Sequence, residues 1–314
     1  MKVAVVIVCY NSGVMLEKCL QYLQEQTRKP DQTIVVDNDS TDTATINMLD
    51  SLDDVEVMKL GVNLGYGGAI NKAAENLIDY DYLCCLNPDA FAQPLWLESL
   101  MRAATLHPDC GSFASLMLKT DDKTIIDGAG DVLHITGIPW RRFHGRKADR
   151  CHLPAGSVFS PCAGAAMYQL SAFREVGGFD ESFFMYVEDI DLGFRLQLSG
   201  YPCHFVPDAI VEHIGSATTG AKSDFTIYHG HRNLVAAYLK NMPLALLILT
   251  LPLHLLAMIW SLLIISIRGQ AAPIFKAKID ALTDATGRLK QRRNIIRKVS
   301  TGYIWSGLQK LPFR

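Results

Sequence analysis

Tyr80-Asp81-Tyr82-Leu83-Cys84-Cys85-Leu86-Asn87-Pro88-Asp89-Ala90 is a short apolar run that stops abruptly at Asn-Pro-Asp. The run reads as a buried strand. Pro88 ends its pairing and leaves Asp89 at the strand's carboxyl end. In an open α/β sheet, ligands gather outside those ends. A carboxylate there is placed to hold a hard divalent cation against a diphosphate. An Asx turn or a helix cap would use the same residue, so the rest of the chain has to decide.

Upstream, Val3-Ala4-Val5-Val6-Ile7-Val8 is a continuous β-branched run that reads as a parallel strand buried on both faces. Residues 15–26 have helical spacing, with Leu16, Leu20 and Leu23 on one face. Thr33-Ile34-Val35-Val36 is a second buried strand, and Val55-Glu56-Val57-Met58-Lys59-Leu60 a third. A Gly-rich turn and a helix over residues 69–77 follow the third strand. This alternation predicts an α/β fold, a doubly wound and mostly parallel sheet with helices on both faces. The alternation stops near Pro108. From there to Ser160 the pattern is irregular, with a basic loop at Arg141-Arg142-Phe143-His144-Gly145-Arg146-Lys147.

The net charge of -2 hides an asymmetry. The front of the chain is acidic, whereas residues 271–314 carry 10 Lys and Arg against only Asp280 and Asp284. A basic tail suits nucleic acid or an anionic membrane. The preceding stretch decides for the membrane and against nucleic acid: between Leu244 and Ile267 the one ionisable residue is His254, and the length would cross a bilayer core. The eight cysteines have no CxxC and no zinc-like spacing. No secretory signal opens the sequence, so the catalytic part is expected in a reducing cytoplasm.

The second strand delivers Asp37 and Asp39 to the same edge as Asp89. A carboxylate there accepts hydrogen bonds from a base or from ribose hydroxyls. Asp37 is assigned that role, with Ser40 or Thr41 capping the next helix. In Gly61-Val62-Asn63-Leu64-Gly65-Tyr66-Gly67-Gly68, glycines would let the backbone approach a phosphate ahead of a helix N-terminus; a tight connection explains them equally well. The densest acidic cluster is Glu188-Asp189-Ile190-Asp191, behind the run Phe184-Met185-Tyr186-Val187 and opening a helix. Acids suit a first turn and Asp191 with Arg195 is an ordinary i,i+4 pair, but one of the three would serve as a general base. His213 ends the run Ala209-Ile210-Val211, and an imidazole with one carboxylate and a diphosphate suits Mn²⁺ or Mg²⁺.

Together these residues resemble the family 2 inverting glycosyltransferases, in their rhamnosyltransferase-like branch. Val5 to Ser12, with Tyr10 and Asn11, and Ile34 to Asp42 look like that family's opening. Asn63-Leu64-Gly65-Tyr66-Gly67-Gly68-Ala69-Ile70-Asn71 is similar to its NxGxxxxxN turn, and Asn87-Pro88-Asp89 stands where it has a DxD metal motif. Gly177 to Glu181 and then Glu188-Asp189 resemble its acceptor-side ED segment. His213 matches its late metal-binding His, and Tyr228-His229-Gly230-His231-Arg232-Asn233 resembles the segment closing over the donor. The resemblance implies a GT-A fold and a donor of the nucleotide-diphosphate-sugar type, dTDP- or UDP-linked. It also implies inversion and a divalent cation held by Asp89 and His213. Donor contacts would come from Tyr10, Asn11, Asp37, Asn63, Gly65, Gly68, Asn71 and Arg232. Asp189 would be the base, with Glu188 and Asp191 behind it. One departure stands out: the first Asp of DxD is Asn87, so Asp89 is the one carboxylate ligand that motif supplies.

The expected organisation is a GT-A domain over residues 1–240 and a membrane-associated helical tail over 241–314. Pro252 interrupts the apolar run and basic residues flank both its sides, so a hairpin or in-plane pair of helices would keep both ends cytoplasmic. Lys290, Arg292, Arg293, Arg297 and Lys298 would then lie on anionic headgroups at the cytoplasmic face of the plasma membrane. The acceptor is expected to be a lipid-linked saccharide in cell-surface polysaccharide synthesis. Against this stand tail helices packed on the catalytic domain or on a second copy in a homo-oligomer. Other functional classes are a sugar nucleotidyltransferase, whose pyrophosphorylase loop Tyr10-Asn11-Ser12-Gly13 does not provide, and an inactive membrane scaffold.

Overall fold

Every residue of β1 (Val3–Cys9) is buried, and a strand with no solvent face has to be covered on both sides. In the computed structural model, which describes residues 1–215 and 223–310, the alternation of β1 splits its side chains between two cores. Val3, Val5 and Ile7 face α1 (Gly13–Gln24) and Trp96, Leu97 and Leu100, while Ala4, Val6 and Val8 face Ile70, Phe173 and Leu192. β1 pairs in parallel with β2 (Gln32–Asp37), which is followed by α2 (Thr43–Asp50) and the edge strand β3 (Glu56–Lys59). After α3 (Gly65–Glu75), β4 (Tyr82–Leu86) lies parallel to the other side of β1.

The remaining strands are β5 (Ala90–Ala92), then, after α4 (Trp96–Leu106), β6 (Ser112–Lys119), β7 (Ile126–Ala129), β8 (Asp131–Leu133), β9 (Pro139–Arg141), β10 (Gly156–Val158) and β11 (Ala165–Gln169). α5 (Leu170–Glu175) and α6 (Glu188–Leu198) precede β12 (Cys203–His213). The sheet order is β10-β12-β6-β11-β4-β1-β2-β3. β11 runs antiparallel between β4 and β6, dividing one parallel set from the parallel pair β6 and β12. The sheet is therefore mixed, with its parallel majority in the part read from sequence.

Two boundaries differ from expectation. The Gly-rich turn is already helix, because α3 begins at Gly65, not near Ala69. The cap of α2 is Asp42, whose side chain accepts from the Thr45 N–H, and not Ser40 or Thr41; Ser40 accepts from the Asn11 N–H.

The tail comprises α7 (Asp224–Asn241), α8 (Leu244–Ile267), α9 (Ala271–Thr283), α10 (Ala285–Gln291) and α11 (Thr301–Gly307). α8 is one continuous helix through Pro252, so the expected hairpin within 244–267 is not formed. Leu246, Leu247, Thr250, His254 and Met258 bury a single stripe of it, at the spacing that lines one helix face. Tyr238 Oη lies 2.8 Å from Thr250 Oγ1, and His254 Nδ1 donates to the Thr136 carbonyl at 2.7 Å. The return is made instead by α9, which packs against α7 and α8 around Val235, Met258 and Ala281.

Described residues beyond 240 pack back on those before it. Lys298 N donates to Leu198 O and Gln309 N to Leu133 O, and Ile304 and Leu308 join the core around Phe194. The tail cations are also partly consumed: Arg292 binds the Leu239 carbonyl, Arg297 binds Thr301, and Lys298 pairs with Glu175. Lys290 and Arg293 are exposed.

Candidate active site

Asp89 and His213 lie far apart in sequence and are joined by one strand pairing. β5 runs antiparallel to β12 with Ala90 opposite His213, and Ile214 N donates to the Asp89 carbonyl. His213 Nε2 thereby comes within 3.4 Å of Asp89 Oδ1, with both side chains nearly sealed from solvent. The other ring nitrogen, Nδ1, donates to Asp127 Oδ2 at 2.9 Å. Asp127 sits on β7, which is laid along β6 beside β12, and its second partner is Arg141 on β9. Burial alone would lower the His213 pKa, but Asp127 and Asp89 outweigh it and raise it. Burial alone would likewise raise Asp127, and His213 and Arg141 hold it below the usual carboxylate range.

The donor set fits a divalent cation. His213 Nε2 is buried without a hydrogen bond, and an imidazole whose far nitrogen is held by a carboxylate is the usual form of a metal-binding histidine. Among the described residues no group of three or more His, Cys, Asp or Glu is assembled for a metal. Two protein donors leave the remaining positions to a diphosphate and water. Asp127 escaped the sequence reading because it lies in the aperiodic stretch after Pro108, where a lone Asp before Gly carries no signal.

Beside this corner a cavity of about 470 Å³ is lined by Asn87, Asp131, Trp140, Arg141, Glu188 and Asp189, with Gly230, His231 and Leu234 of α7 forming another wall. Asp189 Oδ2 accepts from the Ala163 N–H at 3.2 Å and Oδ1 from the Ile190 N–H at 2.8 Å. Burial raises its pKa; those two N–H groups and Arg141 pull it back. Glu188 has no such help. Burial and the neighbouring Asp189 push it well above the usual range, and its Oε2 has no hydrogen bond.

Asp191 departs from its place among the candidate bases. It is fully buried and does not line the cavity. Its carboxylate is held by Arg195, Lys240 and Asn241. Burial pushes its pKa up, but Arg195 and Lys240 outweigh it and hold it down. The i,i+4 pairing with Arg195 is thus realised inside a larger ion network.

Glu188 and Asp189 are delivered by a strained entry. Phe184, Tyr186 and Val187 all have positive φ, at 62°, 68° and 69°, a region unfavourable for bulky and β-branched residues. Asn233 holds it in place: its Nδ2 donates to the carbonyls of Phe183, Met185 and Tyr186, each at 2.8 Å. Arg232, expected on the donor, spends Nη2 on the carbonyls of Ser182 and Phe183 and so braces the same loop.

The other donor-side residues cluster at the carboxyl ends of β1 and β2, mostly engaged with one another. Asn11 Oδ1 accepts from the N–H groups of Thr41 and Asp42, and Asp37 Oδ1 from Ser40 N. Tyr10 is exposed at the same edge. Asn63 Oδ1 accepts from Asn38 and from Gly65 N. Gly65 has φ +73°, and a Cβ there would lie 2.2 Å from the Phe184 carbonyl oxygen; one at Gly68 would lie 2.9 Å from the Leu64 side chain. Asn71 bridges to Phe179 in both directions. Gly65 and Asn71 therefore allow close packing of α3 on the 179–184 segment, and the room at Gly68 is taken by Leu64.

Comparison with known proteins agrees with this geometry. The glycosyl transferase family 2 model matches residues 4–177, and that of glycosyl transferase family group 2 matches residues 106–270. The chain is 31% identical over 241 residues to the N-acetylglucosaminyl-diphospho-decaprenol L-rhamnosyltransferase of Mycobacterium tuberculosis, covering 69% of this chain and 77% of that one. It is 25% identical over 230 residues to an O-antigen chain rhamnosyltransferase of Salmonella typhimurium, covering 68% and 66%. A mannosyltransferase from Pyrobaculum calidifontis, solved with GDP-Man and Mn²⁺, superposes with a TM-score of 0.53 at 16% identity, covering 97% of this chain and 78% of that one. The fold is GT-A, and the chain belongs to glycosyl transferase family 2.

Proposed function

We propose that the protein is an inverting, metal-dependent glycosyltransferase that moves a sugar, rhamnose by analogy with its relatives, from a dTDP- or UDP-linked donor to a hydroxyl of a lipid-linked saccharide in polysaccharide synthesis. One observation carries the reading: the cavity holding Asp189 reaches Asn87, two residues from Asp89, so a base and a diphosphate corner adjoin.

Asp189 is the general base. Its two main-chain N–H partners favour the ionised form, which a base needs, against the burial that raises its pKa; Glu188 lacks such partners, and burial with Asp189 pushes it well above the usual carboxylate range. The acceptor hydroxyl gives its proton to Asp189 as its oxygen attacks the anomeric carbon from the face opposite the diphosphate, which inverts that centre. Asp89 and His213 would hold Mn²⁺ or Mg²⁺, which when bound supplies charge neutralisation for the departing diphosphate. Asp37 and the edge around Tyr10 and Asn11 are the proposed nucleoside side. Hydrolysis of dTDP-rhamnose and UDP-sugars with added Mn²⁺ or Mg²⁺, followed by transfer to N-acetylglucosaminyl-diphospho-decaprenol, tests the reading; no turnover of any donor would reject it.

Asp127 orients His213, so Asp127→Asn should weaken Mn²⁺ binding by about 10- to 100-fold, the usual effect of losing a histidine's outer partner. Electron paramagnetic resonance of free Mn²⁺ in a titration measures this directly. An unchanged affinity would leave Asp127 a purely structural partner.

The proposed location is the cytoplasmic face of the plasma membrane, with α8 lying in the headgroup layer. α8 has mean hydropathy 2.3 over its most apolar window, with most of that window outside the protein's core. Leu249, Leu256, Trp260 and Leu263 are each more than half exposed, and such a face suits an in-plane helix. Changing these four to Gln should move the protein from membrane to soluble fraction on flotation, without lowering Tm. High salt should not release the unaltered protein, because apolar burial is not screened. Retention of the quadruple variant on membranes would sink the assignment.

A further inference from the structure

The β8–β9 hairpin sets Asp131 directly opposite Arg141, so their side chains share one face of the pair. Both line the cavity that contains Asp189, and Trp140 lines it beside them. Asp131 is only 4% exposed, yet its Oδ1 has no hydrogen-bond partner. Leaving a buried carboxylate oxygen without a donor is destabilising, and the attraction of Arg141 across the hairpin offsets only part of the cost of burial. Arg141 is anchored by Asp127, which fixes the guanidinium at the cavity wall.

An indole, an unsatisfied carboxylate and a fixed guanidinium on one short hairpin suit a polyol. The ring covers the apolar C–H face of a sugar, the carboxylate accepts from its hydroxyls, and the guanidinium donates to them. We propose that Asp131 and Arg141 grip hydroxyl groups of the acceptor sugar and present the reacting one to Asp189, so that this hairpin sets acceptor specificity. The inference rests on the transferase reading above. Asp131 belongs to no motif of the sequence and Arg141 reads there only as the start of a basic loop; the antiparallel register of two three-residue strands brings them together.

The test uses the full chain with dTDP-rhamnose as donor and N-acetylglucosaminyl-diphospho-decaprenol as acceptor. Asp131→Asn should raise the acceptor KM by about 10- to 100-fold, the range for losing a charge-assisted hydrogen bond. The donor KM should move by less than the acceptor KM, which separates this contact from the nucleotide side. Tm should be equal or higher, because the variant relieves a buried charge; a residue needed for the fold would lower it. Asp131→Glu, which keeps the charge but displaces it, should change the preference among acceptor sugars. Saturation-transfer NMR with octyl N-acetylglucosaminide reads the same contact without turnover, and should show binding to wild type that Asp131→Asn loses. Absent glycoside binding in wild type, or binding and KM unchanged in both variants, overturns the proposal. A fall in Tm and donor hydrolysis together overturns it in favour of a structural role. Failure of wild type to hydrolyse any donor would instead reject the transferase reading.

Discussion

Asp89→Ala should lower turnover by about three orders of magnitude or more, since metal-assisted charge stabilisation contributes several kcal/mol and each 1.36 kcal/mol is tenfold in rate. The size follows from the geometry. Asp89 is the carboxylate of the DxD position that faces His213, and Asn87 offers only a neutral amide in the other motif position. His213 keeps its Asp127 hydrogen bond in the variant, so the imidazole stays oriented and the loss falls on the ligand set. The measurement is kcat for dTDP-rhamnose across a Mn²⁺ titration, with circular dichroism as the folding control. Near-wild-type turnover with an unchanged response to metal would show that Asp89 only supports the turn.

Asp189→Asn should cost about 100- to 10,000-fold in transfer, the range for removing a positioned base, while nucleotide binding stays intact. Asn keeps one oxygen, which can retain the 2.8 Å bond from the Ile190 N–H, and gives up the longer bond from the Ala163 N–H, so the helix entry should hold. The contrast with Asp191→Asn is diagnostic. Asp191 has Arg195 and Lys240 buried against it, and breaking a buried network by removing one charge costs about 3–5 kcal/mol. That variant should fail by lost stability, seen as a large drop in Tm, whereas Asp189→Asn should remain folded and inactive. Normal transfer by Asp189→Asn together with a folded, inactive Asp191→Asn would reverse the assignment.

The parallel half of the sheet was legible because its strands are continuous apolar runs ending in polar clusters. Such runs determine burial on two faces and place Asp37 and Asp89 at one edge. The helix at Glu188 was legible from spacing, and His213 from its position at a strand end. What stayed hidden depended on pairing between distant short strands. β7, β8 and β9 are three or four residues long, too short for any period to register, yet they carry Asp127, Asp131 and Arg141. Gly65, Asn71 and Arg232 also pack α3 and α7 on the 179–186 segment, a structural part that the sequence pattern does not separate from a donor contact and that only tertiary structure reveals. Pro252 was read as a break because a helix-interior proline removes one hydrogen bond; here the helix continues through it.

α7 has the cavity on one side, through Gly230, His231 and Leu234, and α8 and α9 on the other. A helix with its side chains is about 10–12 Å thick. On the proposal that α8 lies in the headgroup layer, that thickness would act as a gauge: the reacting hydroxyl would be presented at a set height above the lipid surface. Sugars joined close to the lipid diphosphate would fall within that reach, and those several residues out along a glycan would pass over it. The enzyme would then count position along a growing chain by altitude and would act near the first steps of assembly, leaving elongation to proteins with a taller stand-off.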